Sequence, residues 1–288
     1  MRAYVPTYEL KKPGTLQEAL ELIASDPAKW RPFAGGTDLM VLFESGKLEH
    51  RNFVSLWGLG ELGGIDTQGD SVRIGALTTY TQIRTSSELA QHFPLLTEAA
   101  RETGALAIQN RGTIGGNVAN ASPAADSPPA LIAYDAEIEL VGLQGKRRLP
   151  YVEFHTGYKT TVLRPGELVS AFWLKRPQGN WRSFYRKVGT RKAQAISKVC
   201  VAARARIEDG RVKEARVALG SVAPTVLRAR AIENAVVNQL LTTETYQAAR
   251  EAALECARPI DDIRSTALYR ARVCGNVIVQ WLEELAKS

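Results

Sequence analysis

Two short segments, Ala34-Gly35-Gly36-Thr37-Asp38 and Thr113-Ile114-Gly115-Gly116-Asn117, set a glycine pair beside small polar residues. The first ends a strand-like run, Trp30 to Ala34. Glycine lacks a Cβ, so such a loop admits close approach of a ligand and tolerates positive φ. Successive N–H groups in a turn of this kind form a concave nest for an anion. Ordinary structural turns use the same residues, so either loop alone reads more readily as a turn than as a phosphate site. Their pairing in one chain is the feature that any fold must accommodate.

The second loop sits in a longer stretch, Arg111 to Ala130, that is nearly all small or polar and holds neither Lys nor Glu. A solvated loop of that length usually carries more charge, whereas a segment crowded against a large ligand has this composition. Thr113 and Asn117 offer side-chain hydrogen bonds. Asp126 is a lone acid there, with two readings. It is placed to cap a helix over Pro128-Pro129-Ala130-Leu131, and it is also suited to bind ribose hydroxyls.

The surrounding pattern is α+β. Thr15 to Ile23 predicts a capped helix, with Glu18 at the capping-box distance and Leu16, Ala19, Leu20 and Ile23 on one face. Residues 52–56, 71–76, 136–141 and 168–174 read as strands, 81–89 and 94–104 as helices. The character changes near Pro177-Gln178-Gly179-Asn180. Beyond it, 183–188, 198–207 and 212–219 are strand-like, with a hairpin at Glu208-Asp209-Gly210. From about Thr225 onward the periodicity is helical. The expected organisation is a domain over 1–176, divided into lobes at about 1–58 and 59–176, and a smaller α+β domain over 180–288.

Composition narrows the function. Of 288 residues, 45% are hydrophobic and 23% charged, the balance of a soluble globular protein. No apolar run is long enough for a membrane span, and residues 1–8 lack a signal-peptide layout, which leads to the expectation of a cytoplasmic protein. Three widely spaced cysteines, Cys200, Cys256 and Cys274, form no Cys-x-x-Cys pair, and His50, His92 and His155 are the only histidines. No metal site is expected from them. The net charge of +7 raises nucleic-acid binding, but the basic residues are dispersed. The densest group, Arg182 to Lys198, suits a dianionic cofactor or an acidic partner surface. No nucleic-acid partner is expected.

Five segments together resemble the FAD-binding (medium) subunit of the molybdenum hydroxylases, a family that includes xanthine, carbon monoxide, aldehyde and nicotinate dehydrogenases. These are Arg31 to Leu39, Thr113 to Asp126, Phe154-His155-Thr156-Gly157-Tyr158-Lys159-Thr160 with Leu163 to Val169, Tyr185 to Ser197, and Pro259 to Arg270. The resemblance spans the chain in order. It implies a two-lobed FAD domain of the vanillyl-alcohol-oxidase (PCMH) type followed by a small α+β C-terminal domain. It also implies cofactor contacts. Arg31, Pro32, Phe33, Ala34, Gly35, Gly36, Thr37 and Asp38, with Thr113, Ile114, Gly115, Gly116 and Asn117, would line the FAD pyrophosphate and ribose. Asp126 would bond a ribose or adjoining hydroxyl, and Val169 would pack on the adenine or the flavin edge. Lys187 would sit near the polar rim of the isoalloxazine, where its charge would favour the anionic reduced form.

The same resemblance implies partners. Molybdopterin would reside on a large subunit and two [2Fe–2S] clusters on a small one, in a heterotrimer or a dimer of heterotrimers. The cysteine-bearing insertion of benzoyl-CoA-reducing relatives has no counterpart, since no cysteine lies between Arg31 and Val199. The expected activity is that of an oxidoreductase subunit that takes electrons from the clusters and reduces NAD, a quinone or O2. No catalytic acid or base is required of this chain, and no Gly-x-Gly-x-x-Gly marks a Rossmann NAD site. A xanthine dehydrogenase-like complex is the first expectation, with carbon monoxide or aldehyde oxidation open. Two other classes remain: a self-sufficient FAD oxidase or reductase of the same fold, and a non-enzymatic nucleotide- or RNA-binding module. The 185–197 and 259–270 segments favour the multi-subunit reading.

Overall fold

The computed structural model describes residues 7–192 and 194–287. Residues 1–6, read above for a leader, and Ala193, within the 185–197 segment, lie outside that range.

The first lobe is a small parallel sheet with flanking helices. Its elements are β1 (Glu9–Lys11), α1 (Leu16–Ser25), β2 (Arg31–Phe33), α2 (Leu39–Glu44) and β3 (Asn52–Ser55), with strand order β1-β3-β2. Thr15 caps α1 by accepting from the Glu18 N–H, and the Glu18 carboxylate accepts from Gly14 N rather than Thr15 N. The reciprocal arm of the capping box thus reaches one residue further back. Ala19, Leu20 and Ile23 of α1 bury against Trp30, Val54 and Leu56. Because the three strands run parallel, the loops that leave β2 and β3 open at the same end of the sheet. That is where ligands bind open α/β sheets.

The second lobe holds β4 (Ile65–Gln68), β5 (Ser71–Gly75), α3 (Tyr80–Thr85), α4 (Ser87–His92), α5 (Pro94–Glu102), α6 (Leu106–Gln109), α7 (Ile114–Ala119) and α8 (Ser127–Ala133). It continues with β6 (Glu137–Gly142), β7 (Gly145–Pro150), β8 (His155–Gly157), β9 (Thr160–Thr161) and β10 (Leu168–Lys175). Five strands form an antiparallel sheet in the order β4-β5-β10-β6-β7. Val72, Ile74, Ile138, Leu140, Phe172 and Leu174 pack beneath Leu95, Leu96, Ala99 and Leu131 of the helices. The single helix expected over 81–89 is two helices. Ser86 leaves helical geometry and caps α4 by accepting from Leu89 N. The second glycine pair, expected in a loop, lies within the short helix α7.

The last part is a sheet backed by helices: β11 (Trp181–Val188), β12 (Val199–Glu208), β13 (Arg211–Gly220), β14 (Leu227–Arg228), α9 (Arg230–Val236), α10 (Thr243–Cys256) and α11 (Ala267–Lys287). The expected hairpin at Glu208-Asp209-Gly210 is present with a tighter turn: Glu208 pairs with Arg211, and Asp209 and Gly210 are both left-handed at φ 51° and 70°. One face of this sheet packs on the helices through Val201, Val217, Ile278, Trp281 and Leu282. Ala202 and Ala218, on the other face, join the core of the second lobe. The third sheet is therefore seated on α5 and α8, and it reaches the region of the glycine loops. Among the described residues no helix is long and apolar enough to cross a membrane.

Candidate functional site

The two glycine loops meet. A Cβ on Gly35 would fall 1.8 Å from the carbonyl oxygen of Arg111, and one on Gly112 would lie 3.5 Å from Thr37 Oγ1. Asn120 Nδ2 donates to Asp38 Oδ1 at 3.1 Å. The same asparagine is held by Lys159, whose Nζ donates to its backbone and side-chain oxygens at 2.8 Å each. Burial lowers the Lys159 ammonium from its usual value, against the pull of Asp38. The Arg111 guanidinium stacks 3.7 Å over the Trp57 ring. An open cavity of about 560 Å³ adjoins this junction, lined by Trp57, Leu59, Leu77, Thr79, Gln82 and Asn110.

The loops differ in what their N–H groups do. In the first, Gly36 is left-handed at φ 78°. The N–H groups of Gly35, Gly36, Thr37 and Asp38 have no hydrogen-bond acceptor among the described residues. This is the arrangement of an anion nest. In the second, Ile114 N donates to Thr78 O, Gly115 N to Ala76 O, Gly116 N to Thr113 Oγ1 and Asn117 N to Thr113 O. Those donors are spent within the chain. Gly115 is needed for packing, since its Cβ would lie 2.5 Å from that of Ala76. What the second loop offers is side chains. Asn117 Oδ1 accepts from Ser127 Oγ at 2.9 Å, and Ser127 Oγ lies 3.0 Å from the Tyr80 hydroxyl. The Asn117 amide nitrogen is thereby left to donate elsewhere. Beneath it, His155 Nε2 donates to Val118 O at 3.0 Å.

Asp126 and Lys187 are brought to each other at the contact between the second lobe and the third sheet. Lys187 Nζ donates to Asp126 Oδ2 at 2.7 Å and to Glu102 O at 2.8 Å, and Ser197 Oγ donates to Asp126 Oδ1 at 2.7 Å. Asp126 stands at the N-cap position of α8, yet its side chain makes no capping bond. The carboxylate faces the third sheet instead, which replaces the capping reading. Burial pushes the Asp126 carboxyl above its ordinary value, opposed by the Lys187 ammonium and the Ser197 hydroxyl. Each oxygen keeps further acceptor capacity beyond these bonds. Of the other expected residues, Arg31 and Pro32 are exposed on β2 and Phe33 underlies Gly36. Ile114 is fully buried, and Val169 lies on β10 opposite Leu140 in the second-lobe core.

Sequence reasoning did not single out the residues behind this pair. Ser197 is fully buried, and its carbonyl accepts from Arg264 Nη1 at 3.1 Å. Arg264 grips Asp262 Oδ2 through Nε and Nη2 at 3.0 and 2.6 Å, and Arg270, almost fully buried on α11, bonds Asp262 Oδ1. The Arg264 hydrogen bonds hold the Asp262 carboxyl well below the usual carboxylate range. The adjacent acids Asp261 and Asp262, followed by Arg264 and Arg270, were the available signal.

Free N–H groups beside exposed Arg31 and Arg111, glycines where a Cβ has no room, and an open cleft between lobes fit a long dianionic cofactor better than a small ligand. Comparison with known proteins agrees. The family of FAD binding domains in molybdopterin dehydrogenases matches residues 6–174, and that of CO dehydrogenase flavoprotein C-terminal domains matches residues 184–285.

The chain belongs to the FAD-binding subunits of the molybdenum hydroxylases.

Within that family it is 33% identical over 273 residues to the xanthine dehydrogenase FAD-binding subunit of Escherichia coli O157:H7, covering 94% of this chain and 93% of that one. It is 30% identical over 287 residues to the carbon monoxide dehydrogenase medium chain of Hydrogenophaga pseudoflava, covering 95% of each. The carbon monoxide dehydrogenase structure from that organism superposes with a TM-score of 0.92, covering 96% of both chains. Quinoline 2-oxidoreductase from Pseudomonas putida 86 gives 0.91 at 26% identity, covering 99% of this chain and 98% of that one. The two-domain α+β fold is thus the family's, and the 185–197 and 259–270 segments are family structure of the C-terminal domain.

Proposed function

We propose that this chain is the electron-exit subunit of a cytoplasmic heterotrimer, or dimer of heterotrimers, whose large subunit carries the molybdenum cofactor and whose small subunit carries two [2Fe–2S] clusters. FAD bound here would supply storage for two electrons between one-electron donors and a two-electron acceptor. Residues 1–58 and 59–176 would form the two lobes of the FAD domain, and 180–288 the domain that closes on it. The N–H groups of residues 35–38 would hold the pyrophosphate, with residues 31–34 shaping the approach. Thr113 to Asn117 would press that nest into shape and add the Asn117 amide. Asp126 would accept from a hydroxyl of the cofactor, Val169 would limit the adenine or flavin edge, and Lys187 would carry positive charge to the isoalloxazine. The observation that carries the reading is the row of free N–H groups at Gly35 to Asp38, set against the Arg111 carbonyl with no room for a Cβ.

The xanthine dehydrogenase type is the form of complex we favour, on the 33% identity to that subunit. The test is to purify the chain with and without a molybdenum-cofactor large subunit and a [2Fe–2S] small subunit. The chain alone takes up FAD and turns yellow but oxidises no purine. In the complex, xanthine bleaches the flavin anaerobically, and NAD, a quinone or O2 restores its colour. A chain that never takes up FAD, or one that oxidises substrate without partners, overturns the proposal. Bleaching by CO or an aldehyde instead of xanthine would reassign the complex to that branch.

A further inference from the structure

Three segments far apart in sequence converge on one chain of hydrogen bonds: Lys187 to Asp126, Asp126 to Ser197, Ser197 to Arg264, Arg264 to Asp262, and Asp262 to Arg270. Its far end is anchored in α11. Its near end is an ammonium group whose side chain is only 5% exposed. Two of the three Lys187 protons are directed by Asp126 and Glu102 O. Ser197 has no backbone ladder to fix it, because it lies in the connection between β11 and β12. What fixes it is Arg264, through the Ser197 carbonyl.

We propose that Ser197, Arg264 and Asp262 are positioning residues for the Lys187 charge, and that through them the C-terminal domain sets the reduction potential of the flavin. The inference rests on the reading that Lys187 faces the flavin. Asp126 divides its acceptor strength between Lys187 and Ser197. While Ser197 donates to Oδ1, part of the carboxylate's acceptor strength is committed there, and the Lys187 ammonium keeps a net positive field in front of it. The pair is neutral overall with or without Ser197; without it, the hydroxyl dipole no longer offsets the carboxylate and Asp126 can turn fully to Lys187, so the positive potential at the cofactor falls. Charge-assisted bonds of this kind are strong and geometrically specific, and in a buried setting a fixed charge acts across little screening. Arg264 acts one step back: it holds the loop that presents the Ser197 hydroxyl. Asp262 holds Arg264.

The experiment measures the midpoint potential of bound FAD by dye equilibration in the full chain, for wild type, Ser197→Ala, Ser197→Thr and Arg264→Ala, each also in a Lys187→Met background. We expect Ser197→Ala and Arg264→Ala to weaken the preference for reduced over oxidised FAD about tenfold, about 30 mV for a two-electron couple. Ser197→Thr keeps the hydroxyl and the wild-type value. In the Lys187→Met background the Ser197 and Arg264 effects vanish, whereas a merely structural disturbance would persist. Should Arg264→Ala fail to fold, Ser197→Ala carries the test. Wild-type potentials in both single variants, or undiminished shifts without Lys187, overturn the inference. If Lys187→Met itself leaves the potential unchanged, the placement of Lys187 falls and the inference with it. If wild type takes up no FAD, it is the cofactor reading that has failed.

Discussion

Gly35-Gly36 and Gly115-Gly116 are nearly interchangeable as sequence, each a glycine pair followed within a residue by Thr or Asn, and the fold uses them for different physics. The first pair presents backbone donors. Four consecutive N–H groups have no acceptor among the described residues, and Gly36 among them is left-handed. The second pair presents no donors. Its two N–H groups are consumed by Ala76 O and Thr113 Oγ1, and its glycines exist because Ala76 and Thr113 leave no space for a Cβ. On the proposed reading, one loop is the binding surface and the other is the brace behind it. A glycine pair alone therefore says that two backbones or a backbone and a ligand come close, without saying which.

Substitutions that add one methyl group separate the two roles. The largest effect belongs to Gly35→Ala, because the new Cβ would meet the Arg111 carbonyl at 1.8 Å and neither backbone can yield. The loops must part, at a cost of about 3 kcal/mol or more, and FAD uptake, followed by flavin absorbance after desalting, falls at least about a hundredfold. Next come Gly115→Ala and Gly36→Ala, which should diverge. At Gly115 the clash is with buried Ala76, so urea denaturation of the FAD-free chain loses about 2 kcal/mol. At Gly36 the methyl group meets the Phe33 ring at 2.5 Å in a left-handed residue. The damage there stays local, and FAD affinity drops more than stability does. Equal losses of stability in the two variants would erase the division between nest and brace.

How far the sequence showed this is uneven, for physical reasons. The alternating strands β3, β5, β6 and β10 to β13, the hairpin at Asp209-Gly210 and the α1 cap were legible because each is marked by a pattern within a few residues, whereas short strands such as β1, β8 and β14 carry no such pattern. The break at Ser86 was written in Thr85-Ser86-Ser87, a polar run that competes with helical hydrogen bonding. The site was legible only as a set of places. Asp126 finds Lys187 61 residues away, and Ser197 finds Arg264 67 residues away. No periodicity connects such pairs. The capping reading of Asp126 failed because a local bond lost to a charged partner supplied by the third sheet.

A smaller effect probes the brace from its cap. Thr113 accepts from Gly116 N at 3.1 Å, so Thr113→Val removes the side-chain oxygen that closes the first turn of α7. Loss of an N-cap costs about 1 kcal/mol, seen as a lower urea midpoint with an unchanged slope. FAD affinity should follow only as far as the brace loosens. An affinity loss well beyond that amount would mean that the Thr113 hydroxyl touches the cofactor directly, and would blur the contrast.

The weakest lever is pH, acting through His155. Burial lowers its imidazole below the usual 6.5, with the bond to Val118 O pulling the other way. A depressed folded value means the native state holds the proton less well than the unfolded chain. The stabilisation is therefore complete above pH 6.5 and is lost as pH falls through the lower folded value. His155→Gln keeps a donor for Val118 O but cannot titrate. The difference in unfolding free energy between wild type and His155→Gln should be constant from pH 8 to 7 and shift against wild type below 6.5, before most carboxylates titrate. Because Val118 belongs to the brace and not to the nest, the same acidification should lower the stability of the FAD-free chain as much as that of the FAD-bound one. A pH effect confined to the FAD-bound form would place His155 with the binding surface instead.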